Sequence, residues 1–155
     1  MPDLLWEDVQ RLFEPDGSLL DAYVFDTTVA DWQNFVDLVR SAGWWFAYSE
    51  DGQVGRLPDR VEGVLARSGE LALLLQVRPV PEVLVNVHFF VEEEIEADFD
   101  PRELRGQEQL DAVCVFLRAV GRRLGKPVVL TPENGPAYPL IGYDLAADQV
   151  LLLGS

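Results

Sequence analysis

With 155 residues, 48% of them hydrophobic, the chain suits one domain with a proper core and is not a disordered tail. Twenty-seven acidic against 12 basic side chains leave a formal charge of -15, which disfavours direct binding to nucleic acid or anionic lipid, since both need Lys and Arg to neutralise phosphates. A lone cysteine, Cys114, excludes an internal disulfide, and no run approaches the roughly 18 apolar residues of a membrane span.

The opening MPDLLWEDVQ lacks the basic region and apolar core of a signal peptide, so a cytoplasmic location is expected. From Leu4 to Phe13 the spacing of Leu5, Val9, Leu12 and Phe13 predicts a short amphipathic helix, broken by EPDGS. Leu19 to Phe25 reads as a strand. Thr28 and Asp31 form a capping-box pair ahead of a helix from Val29 to Ala42, which puts Trp32, Phe35, Val36 and Val39 on one face and stops at Gly43. Aromatic residues around Asp51 and Gly52 predict a hairpin between Trp44 and Leu57. On that hairpin Trp44 and Trp45 point to opposite faces. Asp59 is expected to cap a short helix in which Glu62 closes the box and Val61, Val64 and Leu65 face inward. The apolar run Leu71 to Val77 reads as a central strand buried on both faces.

Val83 to Asp100 is the most patterned stretch. Its odd positions are apolar except Glu93, while its even positions begin mixed (Leu84, Asn86, His88, Phe90) and then turn wholly acidic. Period two means extended strand: either one long bent strand or two strands joined in phase. A tight hairpin at Glu92 and Glu93 is not expected, because two-residue turns favour the positive φ that Gly or Asn tolerates and Glu does not. A break near Glu92 is expected on grounds of length. Either way Glu92, Glu94, Glu96, Asp98 and Asp100 share a side, about 6.6 Å apart, as a ladder of like charges.

Asp100, Pro101 and Glu103 mark a helix start, with Gly106 dividing a first turn from a long helix that presents Leu110, Val113, Cys114, Leu117, Val120 and Leu124. Arg118, Arg122, Arg123 and Lys126 gather near its C-terminal end, where the helix dipole favours cations. PVVL, AYPLIGY (with Pro139 at an edge or bulge) and QVLLL are the remaining strands. The order gives an α+β fold: one domain spanning 1–155, with a mostly antiparallel sheet of about seven to nine strands covered by three or four helices. The order helix, glycine, strand, turn, strand occurs twice, around Gly43 and Gly125, without residue-level repetition.

No catalytic signature emerges. Neither a glycine-rich phosphate loop nor a nucleophile beside a base is present, Cys114 reads as a small buried apolar residue, and same-face strand carboxylates diverge too far to share a metal ion unaided. No cofactor and no metal site are therefore expected, and the enzyme question stays open, leaning to no. The ladder has three readings. It is a solvated edge that deters strand pairing, a face that binds a basic protein, or a dimer edge, which its own charge would repel. The function expected is a non-enzymatic binding protein whose Glu92, Glu94, Glu96, Asp98 and Asp100 engage a basic partner; any homodimer would use another surface. In size and charge the chain is similar to small acidic bacterial proteins that neutralise toxins and to chaperones that hold secreted clients, although no motif ties it to a family. The alternative is a small enzyme or ligand-binding domain with a cleft formed by His88, Asn86, Tyr48 and Tyr143.

Overall fold

Local chemistry sets the element boundaries in the computed structural model, which describes residues 2–154. The described residues form α1 (Trp6–Val9) running into a 3-10 turn (Gln10–Phe13), β1 (Leu20–Phe25), α2 (Val29–Ser41), β2 (Trp45–Glu50), β3 (Gln53–Gly55) and α3 (Val61–Ala66). They continue with β4 (Leu73–Val80), β5 (Val83–Val91), β6 (Glu94–Phe99), a 3-10 turn (Pro101–Glu103), α4 (Gln107–Leu124), β7 (Val128–Pro132), β8 (Ile141–Asp144) and β9 (Gln149–Leu152). Thr28 and Asp31 cap α2 reciprocally, and Gly125 ends α4 in the left-handed conformation. Asp51 and Gly52, both at positive φ, make the β2–β3 turn.

All nine strands join one antiparallel sheet in the order β3-β2-β4-β5-β6-β1-β7-β8-β9, an α+β layout. Three of its connections are crossovers, the two longest through α2 and α4 and a shorter one through α3, from β3 across β2 to β4. The helix α2 carries the chain from β1 to β2, and α4 carries it from β6 across β1 to β7. Because β1 and β6 run in opposite directions and their crossovers travel opposite ways, right-handed connections put both helices on the same face. There Trp32 and Phe35 of α2 and Leu110, Phe116, Leu117 and Val120 of α4 pack on the buried odd-numbered residues of β5 and β6. Trp32 stacks on Phe89 with centroids 5.0 Å apart, and Trp44 meets Phe116 at 5.2 Å. Among the described residues no helix lies on the opposite face, a common arrangement for an antiparallel sheet.

Val83 to Asp100 is a hairpin, turning at Glu92 and Glu93, where no tight turn was expected. Neither glutamate needs positive φ, because a bulge absorbs the mismatch. Val91 pairs with Glu94 and His88 with Glu96, so Phe89 and Phe90 oppose Ile95 alone. That extra residue also explains the unbroken parity: it pairs odd with odd, Val87 opposite Ala97, and keeps both arms in phase. The turn is held from outside by the Thr27 hydroxyl (2.6 Å) and the Trp32 indole (3.1 Å), which donate to the Glu92 carbonyl, and by the Thr27 amide, which donates to that of Glu93 (3.0 Å).

Three further expectations are corrected. The ladder is not a solvated edge, since β6 lies between β5 and β1 and the edges are β3 and β9. The strand β4 is inner but buried on one face only: Leu73, Leu75 and Val77 are buried and Leu74 and Gln76 half-exposed, because no second layer lies over it. Asp59 does not cap α3. Its carboxylate pairs with Arg56, and the Val61 amide donates instead to Gln33 of α2 at 2.8 Å.

Candidate binding face

On the uncovered face the register sets side chains in cross-strand rows. Gln76, Asn86, Asp98, Asp21 and Thr131 form one row, and Leu74, His88, Glu96, Tyr23 and Val129 the next, with Glu94 beside Phe25 beyond them. Hydrogen bonds run along the first row: Gln76 Nε2 donates to Asn86 Oδ1 (3.1 Å) and Asn86 Nδ2 to Asp98 Oδ1 (3.1 Å). His88 Nε2 lies 2.7 Å from Asp98 Oδ2, so an ionised Asp98, which only accepts, places the proton on Nε2. Asp98 is thereby held through both oxygens.

Asp21, across the strand from Asp98, is buried because the segment after β7 covers it: the Asn134 amide donates to Asp21 Oδ2 at 2.9 Å. Burial pushes its carboxyl up, and Asp98 and Glu133 add to the shift. Glu96 is likewise raised, first by burial and then by Asp21 and Glu94. Tyr23, among these carboxylates, has its phenol pushed up to about 12, mainly by burial. It stays a neutral donor. Its ring stacks on Phe25 (5.1 Å), and His88 stacks on Phe90 (4.9 Å), so two exposed aromatic side chains rise beside the acidic centre.

Of the five ladder residues, Glu94, Glu96 and Asp98 are brought together here. Glu92 projects from the turn, and Asp100 lies past the strand, chelated by its own neighbour Arg102 at 2.7–3.1 Å, which holds its carboxyl below the usual range. The four residues of the alternative cleft do not meet. His88 and Asn86 are on the uncovered face, whereas Tyr48 and Tyr143 are buried on the helix side, with hydroxyls donated to Glu50 (2.7 Å) and Asp148 (2.5 Å). Among the described residues, no group of three or more His, Cys, Asp or Glu is placed to hold a metal ion, and no helix is long and apolar enough to cross a membrane.

Comparison with family models, curated proteins and solved structures gives no match.

Sequence reading missed Asp21, Tyr23 and Phe25. The signal was the alternation within LDAYVF, whose Leu20, Ala22 and Val24 face the helices and whose polar and aromatic members face the other way. Chemically the face offers carboxylate acceptors between flat apolar rings, a surface suited to guanidinium and ammonium groups with apolar stems.

Proposed function

We propose that this is a non-enzymatic, cytoplasmic binding protein that uses the uncovered face of its sheet to engage a basic protein, in a toxin-neutralising or chaperone-like role. The observation that carries the reading is the juxtaposition of Glu94, Glu96 and Asp98, at three alternate positions of β6, with Asp21 opposite Asp98 on its neighbour β1, on a face that no helix covers. Beyond the effect of burial, Asp98 and Glu133 raise Asp21, and Asp21 and Glu94 raise Glu96, so these carboxyls repel one another, and an incoming cation relieves that repulsion. The charge of -15 speeds the encounter, and Phe25 and Phe90 supply apolar contact beside it. Any self-association uses another surface, because two such faces repel each other.

Capture from the protein's own lysate tests the reading. A basic protein is expected to be retained at low salt, lost at high salt, and reduced when Glu94→Ser and Glu96→Ser are combined. Retention that ignores both salt and substitution overturns it.

A further inference from the structure

A second surface adjoins the acidic face at the end of the sheet. Between α3 and the β5–β6 turn lies an open groove of about 560 Å³, lined by Leu65, Phe90 and Val91 and rimmed by Glu62, Glu92 and Glu93. The bulge that sends Phe89 into the core sends Phe90 outward, so Phe90 is 57% and its neighbour Val91 44% exposed. No lining residue is basic, and among the described residues the three rim glutamates form no ion pair. Apolar floor and uncompensated rim together specify an occupant with an apolar side chain set between cations. A second copy of this chain, at -15, is the wrong charge. His88 stacks on Phe90 at an interplanar angle of 3°, so groove and acidic face share a wall.

We propose that this groove receives one apolar side chain, flanked by Lys or Arg, from the same basic protein that the sheet face engages; the inference rests on that reading. Two fluorescein-labelled lysine peptides separate the claims, one with a central phenylalanine and one with serine in its place, their affinities measured by fluorescence anisotropy at low salt. The phenylalanine peptide is expected to bind about tenfold more tightly, the effect of burying much of one aromatic side chain. Combining Phe90→Ser with Val91→Ser should erase that preference, so that the two peptides bind the variant alike. Both positions are exposed, and a thermal melt checks the fold. Combining Glu62→Gln, Glu92→Gln and Glu93→Gln should weaken both peptides; unchanged affinity overturns the proposal.

A phenylalanine preference that survives in the Phe90 and Val91 variant also overturns it. Equal binding of both peptides, lost with Glu94→Ser and Glu96→Ser, removes the groove and leaves the acidic face standing. Binding of neither peptide removes both. Self-association abolished by Phe90→Ser would assign the groove to a second copy and overturn the proposal as well.

Discussion

Asp98 differs in kind from the acids above and below it on β6. Its two oxygens accept from Asn86 and His88, so it fastens β6 to β5, whereas Glu94 makes no such bond across the strands. Asp98→Ser leaves two half-buried donors unmatched and is expected to lower unfolding free energy by about 1–3 kcal/mol in urea titrations, with Glu94→Ser nearly silent in the same assay. A second residue-scale prediction concerns Gly121, where α4 crosses β8. A Cβ there would overlap the ring of Tyr143, so Gly121→Ala should cost about 1–3 kcal/mol despite the better helix propensity of alanine. Denaturant melts of Gly121→Ala alone and with Tyr143→Leu check this, the second change restoring part of the loss. Neither role was legible in the sequence. A glycine inside a helix looks like an inert neighbour, and the partners of Asp98 lie on another strand, at a register that only the bulge fixes.

At the scale of elements, the sequence shows what each segment prefers more clearly than what holds it from a distance. The Thr28–Asp31 box, the Asp51–Gly52 turn and the Gly43 stop were readable because donor and acceptor, or the residue tolerating positive φ, lie within a few positions. The hairpin at Glu92 and Glu93 was not, because its stabilising donors are Thr27 and Trp32, more than 55 residues earlier. Thr27→Val is expected to remove the 2.6 Å bond to the Glu92 carbonyl and cost about 1 kcal/mol, with hydrogen exchange rising first in the tips of β5 and β6. The same logic applies to α3, whose first amide is met by Gln33. That side chain also donates to the Asp59 carbonyl (2.8 Å) and so ties two helices together. Gln33→Ala should cost about 1–2 kcal/mol by urea denaturation, more than a surface substitution elsewhere on α2.

For the molecule as a whole, the carboxyls that its structure raises and those that it lowers oppose each other on acidification. Asp21 and Glu96 are raised by burial, so the folded state binds their protons at a higher pH than the unfolded chain does, and stability is gained as pH falls through those folded values. Asp148, held low by Arg122 and Tyr143, Asp100 by Arg102, and Glu50 by Arg67 and Tyr48 act the other way: their contribution is present above the ordinary carboxylate range and lost below it. Melting temperature is therefore expected to rise as pH falls from neutral toward the ordinary carboxylate range and to fall once pH drops below that range. Asp21→Asn, which still accepts from Asn134, should raise the neutral value and flatten the climb. The alternation of apolar and acidic residues announced the α+β layout and the central acids, but not that a second strand would bring Asp21 among them. The breadth of the sheet has a further geometric effect. Each step between neighbouring strands rotates by about 20–25°, so β2, three strands from β6, is turned by roughly 60–75° relative to it. The surface is a propeller blade rather than a table. A body lying flat over Glu96 leaves the indole of Trp45, beneath Arg78 at that far vane, still in water, and a single continuous sheet presents two addresses that look toward different quarters of space.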